Sequence, residues 1–193
     1  KLHITGVSSA TTVDLIRAAK KEGLAISCSV TPTHLFYCDE DMTTYNTNLK
    51  VIPPVRTKAD REALRAAVVD GTIDCIASHH APQDWDHKVC EFEYAEFGNI
   101  GLQTTYAALE QTVPGLKPAQ ISNLLSGNAR QIFGLPGVSI EEGHAAELTI
   151  FNRTETTTLT PENNKSKSSN SAFMKQPLTG KVMATIHNNQ LTQ

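Results

Sequence analysis

The sequence predicts an α/β fold built on a parallel sheet, and three observations carry that expectation. Short apolar runs rich in β-branched residues alternate three times with segments of helical periodicity. The helical segments carry recognisable cap and stop residues. The longest connections follow the ends of the apolar runs, the side on which parallel sheets place their sites.

Residues 2–7, LHITGV, read as the first strand. The helix after it takes Ser8 or Ser9 as N-cap, lines up Val13, Ile16 and Ala19, and stops at Gly23. Residues 24–30, LAISCSV, form the second strand, broken by Thr31 and Pro32, and THLFYCDEDMTTYNTNLKVIPP then runs as a long irregular connection. Thr57 caps an amphipathic helix whose stripe is Leu64, Ala67 and Val68 and whose stop is Gly71. TIDCIAS is the third strand, followed by a second long loop over 79–101 and a helix over 102–111. Beyond Pro114 the alternation ceases. KPAQISNLLS and GNARQIFGL read as two short helices, AELTIFN as an isolated strand, NNKSKSSNS as a polar, mobile connection, and GKVMATIHNNQL as a strand or hairpin. The expected division is an α/β part over 1–143 and a small β segment over 144–193.

At 193 residues and 39% apolar content, the chain can hold one fair-sized domain or part of a larger one. It opens inside a strand without an initiator methionine, which reads as a piece of something longer. A formal charge of −3 offers no basic field for nucleic acid and no polybasic face for a membrane, leaving small molecules or proteins as partners. No apolar run is long enough to span a bilayer and no leader pattern precedes the first strand, which points to the cytoplasm. Cys28, Cys38, Cys75 and Cys90 lie too far apart for a C-x-x-C motif and read as reduced, mostly buried thiols.

The chemistry-bearing stretch is SHHAPQ, residues 78–83. Adjacent residues on a strand face opposite ways, so His79 and His80 are not expected to look into one pocket, and His80 is assigned a structural hydrogen bond. His3 differs in strand parity from Gly6 and is no substitute ligand. His34 and Arg56 sit in loops where they could meet an anion or pin the chain. Glu91, Glu93 and Glu96 interleave with Phe92, Tyr94 and Phe97, which predicts one solvated and one packed face. Asp84, Asp86 and His87 are a conceivable metal cluster on a loop.

The ordered segments LHITGVSSA, SVTPTHL, NLKVIPPVRTKADREAL, DGTIDCIASHHAP, FEYAEFGNIGLQT, NARQIFGL and EEGHAAELTIF resemble the carboxyl-terminal half of dihydroorotases of the long bacterial type, members of the amidohydrolase superfamily. The resemblance implies the C-terminal part of a (β/α)8 TIM-type barrel, strands six to eight, plus strands of a small flanking β-domain. It also implies zinc as cofactor, a role in pyrimidine biosynthesis, and an amino-terminal half of the same barrel as partner.

Against that family pattern, Gly6 stands where a zinc-binding histidine is expected, so it cannot bind metal. His79 stands at the aspartate that binds metal and moves the proton, the catalytic position. Ile52 and Gln83 stand at substrate-binding positions. A neutral imidazole has one lone-pair nitrogen, so a metal-bound His79 would have none left to accept a proton, and loss of a general base costs about 10²- to 10⁴-fold. The resemblance therefore implies a dihydroorotase-like protein of impaired or absent activity, a pseudoenzyme. The alternatives are a non-catalytic scaffold for aspartate transcarbamoylase and a cyclic-amide hydrolase of altered specificity. Three barrel strands with open edges call for the amino-terminal half or a homo-oligomer to cover them.

Overall fold

The structure is a computed structural model that describes residues 1–188 and 190–192. The first sheet contains β1 (Leu2–Ile4), β2 (Ile26–Val30) and β3 (Cys75–Ile76), parallel and in chain order. Leu2 is in register with Ile26, and Ser29 with Cys75. Its helices arise where the caps foretell them. Ser9 caps α1 (Ala10–Lys21) by accepting from the Thr12 amide, so Ser9 rather than Ser8 is the cap. Thr57 and Asp60 form a reciprocal capping box at the start of α3 (Lys58–Val69). Val13 and Ile16 of α1 and Leu64, Ala67 and Val68 of α3 are buried with Cys28 and Val30 of the sheet, giving one layered core.

Four expectations change. The connection after β2 is not irregular throughout: it contains α2 (Pro32–Phe36) and short 3-10 turns at Asp39–Thr44 and Thr47–Leu49. Thr31 and Pro32, taken as strand breakers, are the N-cap and first residue of α2, where proline loses no hydrogen bond. After α4 (Thr105–Thr112), the two short helices α5 (Pro118–Ser122) and α6 (Asn128–Phe133) are joined without interruption by a π-helical turn, Asn123–Gly127. The strand at AELTIFN is not isolated. It is β4 (Leu148–Thr158), paired antiparallel with β5 (Pro177–His187), which pairs with β6 (Gln190–Thr192) in a second sheet.

A further change concerns residues 163–171, whose polar composition reads as a mobile linker. They are packed. Asn170 is 4% exposed, its amide donates to the Ala81 and Gly98 carbonyls, and its Oδ1 accepts from the Gln83 amide. Ser168 donates to the Gln83 carbonyl. Polar side chains here take over the pairing that a sheet would otherwise supply to the 79–101 loop.

The second sheet is tied to the first unit by Leu178, buried against Ala107 and Ala108 of α4. An ion pair adds to this: Arg153 on β4 donates to Glu110 at 2.7 Å and to the Leu116 carbonyl at 2.7 Å. Among the described residues no strand pairs with the outer edge of β1 or β3. Beside β3 lies an apolar groove of about 650 Å³ with Ile76, Leu102, Tyr106 and Val182 on its walls. The four cysteines are free thiols, three of them buried, as their spacing suggested. No helix is long and apolar enough to cross a membrane among the described residues.

Candidate functional site

A cavity of about 350 Å³ opens among the segments that follow β2 and β3, lined by Thr31, Thr33, His34, Ile52, His79, His80 and Asn99. Parallel sheets gather functional side chains at this end because each strand hands over to a loop there.

His79 and His80 both line this cavity, contrary to the expectation from strand alternation. The reason is local: β3 ends at Ile76, and His79 adopts φ = 43°, a left-handed conformation that breaks the two-residue period. His79 Nε2 is 2.8 Å from the Thr5 hydroxyl, whose oxygen also accepts from Ser29. His80 Nδ1 accepts from the Gly101 amide at 3.2 Å, the structural hydrogen bond assigned to it.

Gly6 sits directly under the His79 ring. Its φ is +72°, which glycine adopts at no steric cost, and a Cβ placed there would come within 2.8 Å of His79 Cε1 and 3.0 Å of Pro53 Cδ. The His79 imidazole fills the space that a side chain at position 6 would need. Glycine at 6 and histidine at 79 are thus one steric arrangement rather than two independent replacements.

His34 is 3% exposed and pins the loop after β2: its Nδ1 pairs with the Thr31 hydroxyl at 2.7 Å and its Nε2 with the Pro53 carbonyl at 2.9 Å. Of the two roles open to it in the sequence, it takes the pinning one. Arg56 is exposed and lies outside the cavity lining. Ile52 stands exposed at the cavity lip and presents only apolar surface. Gln83 turns away, its amide donating to the Phe97 carbonyl at 2.9 Å, and does not line the cavity. His3 pairs with Ser27 and meets the Phe133 ring edge-on, away from the site. The alternation over 91–97 does not give a packed aromatic face: Tyr94 and Phe97 are exposed and Ala95 is the buried residue, because the segment turns instead of extending.

Zinc requires three or four donors converging on one point at about 2.0–2.3 Å. Gly6 offers none, both nitrogens of His34 are engaged, and His79 Nε2 is held by Thr5. The residues present in this cavity do not fit a metal centre. Asp84, Asp86 and His87 place ligand atoms within 4.8 Å of one another, but all three are exposed and none lines the cavity.

Burial holds the His34 imidazole below its ordinary pKa, opposed by the bond to Pro53 and aided by His79 nearby. Burial also lowers His79, with the Ile52 backbone opposing. Both therefore keep the neutral form to lower pH in the fold than in the unfolded chain, which takes up protons below about pH 6.5. The stability they contribute is present above that pH and declines as pH falls below it. For His34 the expected slope is up to about 1.4 kcal/mol per pH unit, with a smaller part from the half-buried His79. Urea denaturation at pH 7.5 and 5.5 checks this, and His34→Gln should flatten the difference.

Asn99 escaped the sequence reading. It is 3% exposed, lines the cavity, and donates to the Thr33 hydroxyl at 3.1 Å. An asparagine in a loop carries no signal of a partner so far back along the chain.

None of the protein-family models matches the chain. Curated relatives do. It is 34% identical over 98% of its length to the dihydroorotase of Fusobacterium nucleatum and 40% identical over 99% to that of Caldanaerobacter subterraneus. In each case the chain spans about 45% of the relative's length. Among solved structures, the L-hydantoinase of Arthrobacter aurescens matches 98% of the chain at 24% identity with a TM-score of 0.87. An inactive dihydroorotase-like domain of a Chaetomium thermophilum CAD-like multifunctional protein matches 99% of the chain, and 50% of its own, at 20% identity with a TM-score of 0.69. The identities of the solved structures establish the fold alone; the curated relatives add the family. By sequence and by fold, the chain is a relative of the dihydroorotases, matched to the carboxyl-terminal half of their amidohydrolase barrel.

Proposed function

We propose that this chain is the carboxyl-terminal part of a dihydroorotase-like protein of pyrimidine biosynthesis whose hydrolytic site is disabled. The observation that carries the reading is the His79 ring seated over Gly6 and bonded to Thr5. The two positions at which the family resemblance calls for zinc ligands are here occupied by a residue without a side chain and by the imidazole that covers it. Ile52 at the lip removes a hydrogen-bonding partner for a polar substrate, at a cost of about 1–3 kcal/mol. The protein carrying this chain should show no cyclisation of carbamoyl aspartate above the uncatalysed rate. Turnover within 10²-fold of an ordinary enzyme, about 10 s⁻¹, would overturn the reading.

The retained scaffold favours a second role, as a non-catalytic partner of aspartate transcarbamoylase. Its support is that the fold also occurs in a domain described as inactive. The open edges of β1 and β3 and the groove beside β3 suit the remaining barrel strands or a second copy of the chain. A cytoplasmic setting accords with this reading. Light scattering with the transcarbamoylase at micromolar concentration tests the scaffold role, which fails if no complex forms.

A further inference from the structure

The segment over 45–50 and the loop over 84–97 pack together into one outward face. Lys88 Nζ donates to the Thr47 carbonyl at 2.6 Å, the Thr47 hydroxyl returns a bond to the Lys88 carbonyl, and Lys50 Nζ donates to the Phe92 and Glu93 carbonyls. Tyr45 meets Phe92 edge-on at 6.2 Å. Both lysines are therefore spent on backbone oxygens inside the face, and Lys88 is 6% exposed.

What remains outside is acidic and aromatic. The 84–97 loop contributes five carboxylates, Asp84, Asp86, Glu91, Glu93 and Glu96, against the two lysines Lys50 and Lys88, so the face carries a net −3, as much as the whole chain. All five carboxylate residues are exposed. Among them Tyr45, Trp85 and Tyr94 stand 73%, 71% and 72% exposed, with Val89 at 59%. Trp and Tyr inside a polar rim are the composition of interface hot spots. A face of one sign repels a second copy of itself and repels nucleic acid. Arginine and lysine side chains both neutralise carboxylates and stack on indole and phenol rings.

We propose that this acidic, aromatic face is a docking surface for a basic protein surface. Its aromatics Tyr45, Trp85 and Tyr94 stand away from the cavity, which only Phe97 at the end of the 84–97 loop reaches.

Trp85 is the single tryptophan of the chain, so its fluorescence reports on this face alone. The test is a titration of the 193-residue chain with the decapeptide (Arg-Gly)5 and, as control, (Glu-Gly)5. The expected result is a saturable change in Trp85 emission with the basic peptide only, weakened about tenfold between 50 and 500 mM salt. Neutralising the face by Asp84→Asn, Asp86→Asn, Glu91→Gln and Glu93→Gln should weaken it about tenfold, while Glu22→Gln, Glu141→Gln, Glu142→Gln and Glu162→Gln leaves it unchanged. Tyr94→Ser, which keeps every charge, should weaken it about threefold through the lost ring contact. The proposal is overturned by no saturable change, by equal loss in the two neutralised variants, by an inert Tyr94→Ser, or by self-association of the chain through this face.

Discussion

Gly6→Ala is expected to cost about 2–4 kcal/mol of folding stability, a large effect for one methyl group. Two contributions combine. The backbone at position 6 has φ = +72°, where a side chain is strained, and the new Cβ would press on the His79 ring at 2.8 Å. The first contribution belongs to the backbone and survives any change at position 79. The second vanishes when the ring is removed. In a double-mutant cycle, Gly6→Ala in a His79→Ala background should therefore cost about 1–2 kcal/mol less than in the wild type. Additive behaviour would show that the two residues do not share the space. The same steric logic predicts that Gly6→His alone lowers the yield of folded protein, and that Gly6→His with His79→Asp recovers only the part due to the ring contact, because aspartate is too short to reach across while the backbone strain at position 6 persists.

Asn170→Ala should have a comparable effect from just behind the cavity wall, about 2–4 kcal/mol. It strips the Ala81 carbonyl and the Gln83 amide of their partner, and leaves the Gly98 carbonyl with Lys88 alone. Buried groups that lose a partner cost more than a hydrogen bond contributes on average. Hydrogen exchange should quicken at Gln83 and its neighbours in the 79–101 loop. Replacement of the nearby Lys167 by alanine serves as the comparison and is expected to stay within about 0.5 kcal/mol of wild type. If the Asn170 variant also stays within that range, the loop is held by other means.

Much of the fold was legible because its determinants are local. Ser9, Thr57 and Gly23 announce helix ends by their own capacity to cap or to turn, and the stripe of Leu64, Ala67 and Val68 follows from helical geometry alone. The mistakes share one cause. NNKSKSSNS reads as a linker because nothing in its composition reveals that Asn170 meets Ala81 and Gly98. Thr31 and Pro32 read as strand breakers, whereas the same two residue types also cap and open a short helix, which is what they do here. At the site, the identities of Gly6, Ile52, His79 and Gln83 stood out through resemblance, but their geometry did not. Strand parity kept His79 and His80 apart, and one residue at φ = 43° brought them to the same cavity. The contact between Gly6 and His79 joins the segments that follow β1 and β3 and has no signature in either.

The most direct measurement of the central claim is the zinc content of the intact protein, after expression with zinc and removal of loosely bound ions. With His79 covering Gly6 and no converging donors in the cavity, the expected value is below about 0.1 zinc per chain, rising in the Gly6→His, His79→Asp variant. A wild-type protein that retains one or two zinc ions per chain, with position 79 among the ligands, would contradict it.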